Sequence, residues 1–278
     1  MMNIALSWLQ AGLSGVYISL ELSEELCALR TDAMLAGMST KEIRKDIDQA
    51  TLKVRLVSKK TGQYRIKALP AQSNINDIRS YIKEVQVQTG IKIDFVMCDY
   101  LDLLMPVSAK VSPNDLFVKD KYVSEELRNL AKELNVLFVT ASQLNRSAVE
   151  EIEFDHSHIS GGISKINTAD NVFGIFTSRA MRERGKYQIQ CMKSRSSTGV
   201  GMKIDLDYNI ETMRITDTGE DAGPVNSFAK GNLLDSIKAK STMVSKETVD
   251  ADTGEISKVT ADVQSAKLKQ LLGQIKQS

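Results

Sequence analysis

The chain has 278 residues, 42% hydrophobic and 26% charged, enough apolar material for one large folded domain with appendages. Its formal net charge of +1 excludes bulk attraction to nucleic acid, so any such contact must come from local basic loops. No apolar run approaches the ~20 residues that span a bilayer, and the first residues lack the basic-then-apolar order of a secretory signal; a cytoplasmic location and no membrane partner are expected.

In residues 2–11, Ile4, Ala5, Trp8 and Leu9 share one helical face, and Gly12 and Gly15 close that helix. Val16 to Leu20 is a compact, β-rich run of the kind that forms a buried strand. Ser23 caps a helix with Glu24 and Glu25 in its first turn and Gly37 at its end, and Ser39 with Glu42 forms a capping box for the next. Val54 to Pro70 reads as two short extended pieces. A helix is predicted from Ile75 to Gln88, stopped at Gly90, followed by a strand over 93–98.

The spacing of Leu116, Val123, Leu127, Leu130, Ala131 and Leu134 predicts a helix covering a sheet. Strands follow at Val136 to Ala141 and Val172 to Phe176, and Tyr187 to Met192 with Gly201 to Leu206 read as a hairpin. Strands alternating with helices indicate an α/β parallel sheet finished by an antiparallel edge. From 218 to 278 the texture turns to Gly, Ser, Thr, Lys and Asp, a linker and flexible tail in which Val225–Ile237 and Val259–Ile275 are candidate short helices. Cys27, Cys98 and Cys191 are odd in number and far apart in apolar stretches, which fits reduced core residues. His156 and His158 lack the further ligands of a metal site and read as a polar loop; Trp8 and the methionines read as core.

Two acids follow apolar strands: Glu21 after the first and Asp99 after the next strong one. In a parallel sheet both project from the carboxyl edge, where ligands bind. Either alone also reads as a cap or turn residue. Together with the polar Ser142-Gln143 ending a third strand, they supply what phosphoryl transfer uses: one group for metal, one to polarise water, one to sense the terminal phosphate. The Gly-x-x-x-x-Gly-Lys-Ser/Thr phosphate loop is absent from the 278 residues.

Ser19-Leu20-Glu21-Leu22-Ser23 with Arg30, Cys98-Asp99-Tyr100-Leu101, Ser142-Gln143-Leu144-Asn145-Arg146, Ala169-Asp170 and Lys193-Ser194-Arg195 resemble, in order and spacing, successive motifs of DnaB-type replicative helicases, particularly phage forms. The resemblance implies an ATP-hydrolysing 5′ to 3′ DNA helicase with a RecA-like motor domain over 1–217, lacking its P-loop strand, and a tail over 218–278. Glu21 would be the catalytic base, Asp99 the acid acting on Mg²⁺ through water, and Arg30 a further contact to bound ATP. Gln143 would couple the γ-phosphate to DNA, and Lys193 and Arg195 would reach into a neighbouring subunit's nucleotide. Single-stranded DNA would meet Lys110, Lys119 and Lys121 on a loop from about Pro106 to Lys121, Arg146, and Gly161, Gly162 and Lys165 on a second loop over 160–167. Apart from Phe117 those loops lack aromatic platforms, which favours backbone tracking over sequence reading.

The resemblance further implies a homo-hexameric ring in a phage-infected bacterial host, with primase, a helicase loader or a single-strand-binding protein as partners. The family's phosphate-binding loop would lie just before residue 1, on an inner strand, so a split gene, an intron or intein boundary or an internal start is expected to separate this portion from a P-loop-bearing polypeptide. Two other readings stand beside the helicase: a noncatalytic ring or DNA-binding subunit, and a RecA- or KaiC-like ATPase of recombination or signalling.

Overall fold

A computed structural model describes residues 1–108, 111, 115–143, 163–218, 247–249 and 256–258, the last two segments as backbone only. The chain divides into two units, Met1–Pro224 and Val225–Ser278. In the second, β9 (Glu247–Val249) and β10 (Ile256–Lys258) form an antiparallel pair. The two helices expected in the tail lie outside the described residues.

The first unit begins with α1 (Met2–Gln10), β1 (Gly15–Ser19), α2 (Glu24–Ala36), α3 (Thr40–Lys45) and α4 (Ile47–Ser58), then β2 (Tyr64–Ala68), α5 (Ile75–Thr89) and β3 (Phe95–Asp99). After a 3₁₀ turn at Leu101–Leu103 come α6 (Leu116–Leu134) and β4 (Leu137–Thr140). The expected punctuation is present: the Ser23 side chain accepts from the Leu26 amide, Gly37 ends α2 in the left-handed region at φ 61°, and Ser39 with Glu42 forms the reciprocal box. Residues 54–58 are helix rather than extended. The Asp46 side chain caps α4 by accepting from the Gln49 amide, and Ala50, Val54 and Val57 fall on one inward face, which outweighs the β preference of the valines.

Strands β2-β1-β3-β4 form a parallel sheet in that order. All five residues of β1 are buried, as its central place requires. Val16, Ile18, Val96 and Cys98 face α5 and α6 through Ile78, Ile82, Val123 and Leu130, while Tyr17, Phe95 and Met97 face α1 and α2 through Ala5, Leu6, Leu9 and Met34. Trp8 meets Phe95 edge-on with ring centroids 5.2 Å apart. Gly15 is obligatory here, since an added Cβ would stand 2.2 Å from the Phe95 ring.

After α7 (Ile163–Thr168) a second sheet, β5-β6-β7-β8, is antiparallel throughout: β5 (Asn171–Phe176), β6 (Lys186–Ser194), β7 (Lys203–Asn209) and β8 (Arg214–Asp217), with α8 (Arg179–Glu183) between β5 and β6. β8 had no sequence signal of its own. Its neighbourhood is tied to α1 by Asn3, whose amide donates to the Met213 carbonyl and accepts from the Ile215 amide, both at 3.0 Å. Among the described residues β4 pairs only with β3 and β5 only with β6, so each sheet ends on an open edge. Leu137, Phe173 and Ile175 are exposed along those edges.

Candidate phosphoryl-transfer site

The site lies at the carboxyl ends of β1, β3 and β4. Ser19 and Asp99 are register partners, and the Leu20 amide donates to the Asp99 carbonyl at 2.8 Å, so Glu21 leaves β1 beside Asp99. Tyr17, one turn of the pleat back on β1, donates its hydroxyl to Asp99 Oδ2 at 2.5 Å. Burial first, then this hydrogen bond, push the Tyr17 phenol far above its ordinary range, which keeps it a donor. The start of α1 lies within reach of the Asp99 charge.

Tyr100 follows Asp99 and gathers the other groups. Its phenol is raised by burial and by the charges of Glu21, Asp102 and Asp99. Gln143 donates its side-chain amide to Tyr100 Oη at 3.0 Å and its backbone N–H to Asp102 Oδ2 at 3.1 Å. Gln143 is thus bonded to the Tyr100 hydroxyl, and the charges of Glu21 and Asp99 are felt at the same group. Glu21 is exposed and Asp99 half-buried, a solvated carboxylate beside one held by a neighbour. Among the described residues no three His, Cys, Asp or Glu side chains cluster as metal ligands, so a cation here would take most of its ligands from water or phosphate. Arg30 lies on α2, where its charge is felt by Cys27 and by Tyr208 of β7.

Lys193 and Arg195 stand at the end of β6 and are folded back onto their own chain. Lys193 Nζ donates to the Ile166 and Asn167 carbonyls at 2.5 and 3.2 Å. Arg195 donates to the Asn167 carbonyl at 2.6 Å and pairs with Asp170 at 3.0 Å. Both basic heads thus cap the carbonyl end of α7, a position that suits cations. Arg128 shares Asp170 at 2.8 Å. Burial of Asp170 would raise its pKa, but Arg128 and Arg195 outweigh it and hold the carboxyl below the usual range.

Two lysines expected on DNA-facing loops have other places. Lys119 is buried in α6, its Nζ donating to the Asp102 carbonyl at 2.5 Å, and Lys165 is buried in α7 against Asp102 and Asp120. Neither ammonium can reach a phosphate without leaving carboxylate or carbonyl partners. Lys121 is on α6 as well, and exposed. Lys110, Arg146, Gly161 and Gly162 lie outside the described residues, as do His156 and His158. Sequence reasoning passed over Tyr17, Asp102 and Asp120. Asp102, three residues after a strand-ending acid, carried a faint positional signal; Tyr17 and Asp120 carried none.

Residues 1–217 match the family model of the DnaB-like helicase C terminal domain. A DnaB-like replicative helicase of Enterobacteria phage T4 is 27% identical over 199 residues, covering 69% of this chain and 42% of that protein. Among solved structures, a DnaB-like replicative helicase described with its interactions with primase superposes with a TM-score of 0.61 at 19% identity, over 74% of this chain and 52% of its own. A second solved structure, of an isolated ATPase domain, gives 0.63 at 19% identity, over 78% and 80% respectively. These likenesses establish the RecA-like α/β fold. The chain spans less than half the length of its phage T4 relative. A family model that accounts for both sheets and every group gathered at Tyr100 places the chain in the DnaB-like helicase C-terminal domain family.

Proposed function

We propose that this chain is the motor portion of a replicative ATP-dependent helicase that translocates 5′ to 3′ on single-stranded DNA as a homo-hexameric ring. The convergence of Glu21, Asp99 and Gln143 on Tyr100 carries the reading. Glu21, exposed to solvent, orients and deprotonates the attacking water. Asp99, oriented by Tyr17, would hold Mg²⁺ through a water ligand, and a lone carboxylate fits a small hard cation that keeps most of its water. When bound, that ion supplies charge neutralisation at the phosphates. Gln143, clamped by Asp102 and Tyr100, contacts the terminal phosphate and reports its loss. Arg30 serves the nucleotide from α2.

Lys193 and Arg195 act on a neighbour's nucleotide once released from α7 and Asp170. Such a finger contributes about 10³ to 10⁵ in rate, or roughly 4 to 7 kcal/mol. The phosphate cradle comes from a strand bearing a P-loop, contributed by preceding residues or by a separate polypeptide, which pairs with the open edges of β4 and β5. The exposed Leu137, Phe173 and Ile175 support that docking, since unpaired edges with apolar flanks seek a strand. DNA contact falls to Lys121 with Lys110, Arg146, Gly161 and Gly162. Primase, a helicase loader or a single-strand-binding protein would meet the ring in the cytoplasm of a phage-infected bacterium, in keeping with the phage relative and the solved relative described with primase. Among the described residues no helix is long and apolar enough to cross a membrane.

The deciding experiment is DNA-stimulated ATP hydrolysis by the chain alone and mixed with a polypeptide supplying the P-loop strand. Hydrolysis in the mixture is the expected result. Inactivity in both, with DNA binding intact, would replace this reading with a noncatalytic ring or DNA-binding subunit.

A further inference from the structure

Behind Gln143 lies a group of charges of which the roles above use only Asp102. Lys165 of α7 is 7% exposed and Asp120 of α6 is 4% exposed. Lys165 Nζ pairs with Asp120 Oδ2 at 2.6 Å and with Asp102 Oδ1, and donates to Ser142 Oγ at 3.0 Å. Lys119 completes a set of two lysines and two aspartates by pairing with Asp120 at 3.5 Å. Charges this deep are retained at a desolvation cost that apolar residues of equal volume would not incur, so stability alone does not account for them.

What the charges touch is more informative. One Asp102 oxygen holds Lys165, and the other accepts the Gln143 backbone amide at 3.1 Å. The residues next to Lys165 in α7, Ile166 and Asn167, give their carbonyls to Lys193 and Arg195 at 2.5 and 2.6 Å. Side-chain bonds at Lys165 and carbonyl bonds at its neighbours Ile166 and Asn167, connected through the backbone of one short helix, therefore join the end of β4 to the end of β6.

We propose that Asp102 and Lys165 are positioning residues that fasten the Gln143 backbone to α7, the same helix whose carbonyls hold the Lys193–Arg195 tip, so that displacement of the helix moves both together. The catalytic meaning rests on the roles given above to Gln143 and Arg195; the mechanical linkage does not. A binding event that shifts α7 would withdraw the phosphate-sensing amide and release the basic tip in one step. Each connection is a discrete bond between charged or backbone groups, the kind of contact that holds register.

The test is hydrogen exchange on the purified full chain, comparing wild type with Asp102→Asn, Lys165→Met, Lys165→Arg and, as a control for general loosening, Ile82→Val in the α5 core. Peptides covering 142–143 and 193–195 are expected to exchange about ten- to a hundredfold faster in both Asp102→Asn and Lys165→Met, the size of one lost hydrogen bond to a charged group. Lys165→Arg should restore protection, and Ile82→Val should leave both peptides as in wild type. Faster exchange at 142–143 alone, or the same pattern in Ile82→Val, would overturn the linkage. Should Lys165→Met fail to fold, Asp102→Asn, which keeps shape and leaves Lys165 its Asp120 partner, carries the comparison. In the P-loop-complemented assembly Asp102→Asn should lower kcat about tenfold with KM for ATP unchanged; an unchanged kcat would deny the linkage any catalytic part. If the wild-type assembly hydrolyses nothing, the helicase reading fails while the exchange data still decide the linkage.

Discussion

Tyr17 and Asp99 lie on adjacent parallel strands, and the tyrosine hydroxyl donates to the carboxylate at 2.5 Å inside the sheet's buried face. The bond commits one Asp99 oxygen, Oδ2, to the protein. Tyr17→Phe keeps the ring and removes only the donor. Loss of a hydrogen bond to a charged group costs about 1.5 to 3 kcal/mol, so chemical denaturation should show that destabilisation. Hydrolysis in the complemented assembly should need about tenfold more Mg²⁺. An unchanged Mg²⁺ requirement would mean that Tyr17 does not orient the acid.

Glu21 is exposed at the end of β1 and shares the Tyr100 surroundings with Asp99. Glu21→Gln preserves shape and hydrogen bonding but not basicity. Nucleotide binding should persist while turnover falls by about 10² to 10⁴. Turnover within a factor of two of wild type would remove Glu21 from the base role.

The Arg195 to Asp170 contact responds to pH in a direction that follows from its charges. Asp170 has a depressed folded-state pKa, so its ion pairs are fully present above the unfolded carboxylate value of about 3.9 and are lost as pH falls through the lower folded value. Below that window the Arg195 side chain should lose its Asp170 partner while keeping its hydrogen bond to the Asn167 carbonyl. An NMR titration of the Arg195 side-chain resonances should show the transition in wild type and not in Asp170→Asn. A transition that survives Asp170→Asn would assign it to another acid.

With Lys119 and Lys165 engaged inside the protein, Lys110, Lys121 and Arg146 remain of the basic residues proposed for DNA. Three contacts to single-strand phosphates give a slope near −2 for log affinity against log salt. Removing Lys121 should bring the slope about 0.7 closer to zero without changing sequence preference. A wild-type slope near zero would place DNA elsewhere.

Gly15 opens β1 directly under the Phe95 ring, which is fully buried. Gly15→Ala forces a methyl to 2.2 Å from that ring, and overpacking of this kind costs about 1 to 3 kcal/mol. Thermal unfolding should register the loss. Gly12→Ala, where an added Cβ meets nothing, should be milder and limited to the strain of its positive φ of 86°.

Much of the first unit was legible because its signals are local. Ser23, Gly37, the Ser39–Glu42 box and Gly90 mark helix ends by chemistry acting over three or four residues, and the apolar spacing of α5 and α6 repeats within each segment. Glu21 and Asp99 were legible for the same reason: an acid that ends an apolar strand announces its edge of the sheet. Local cues also misled, at 54–58, where the valines of α4 resemble a strand until the Asp46 cap and their shared buried face are considered.

By itself, the sequence determined the parallel α/β plan, the order of the chemical motifs and the sheet edge from which Glu21, Asp99 and Gln143 emerge, since propensity, capping and alternation act between near neighbours. Only the tertiary structure decided that Lys165 faces Asp102, 63 positions away, instead of solvent, that Tyr17 orients Asp99 across 82, and that Arg195 rests on Asp170 across 25. A lysine in a polar run looks the same whether its partner is water, a phosphate or a distant aspartate. Its burial is settled when α6, α7 and the turn after β3 pack together and exclude the water that would otherwise solvate the charge.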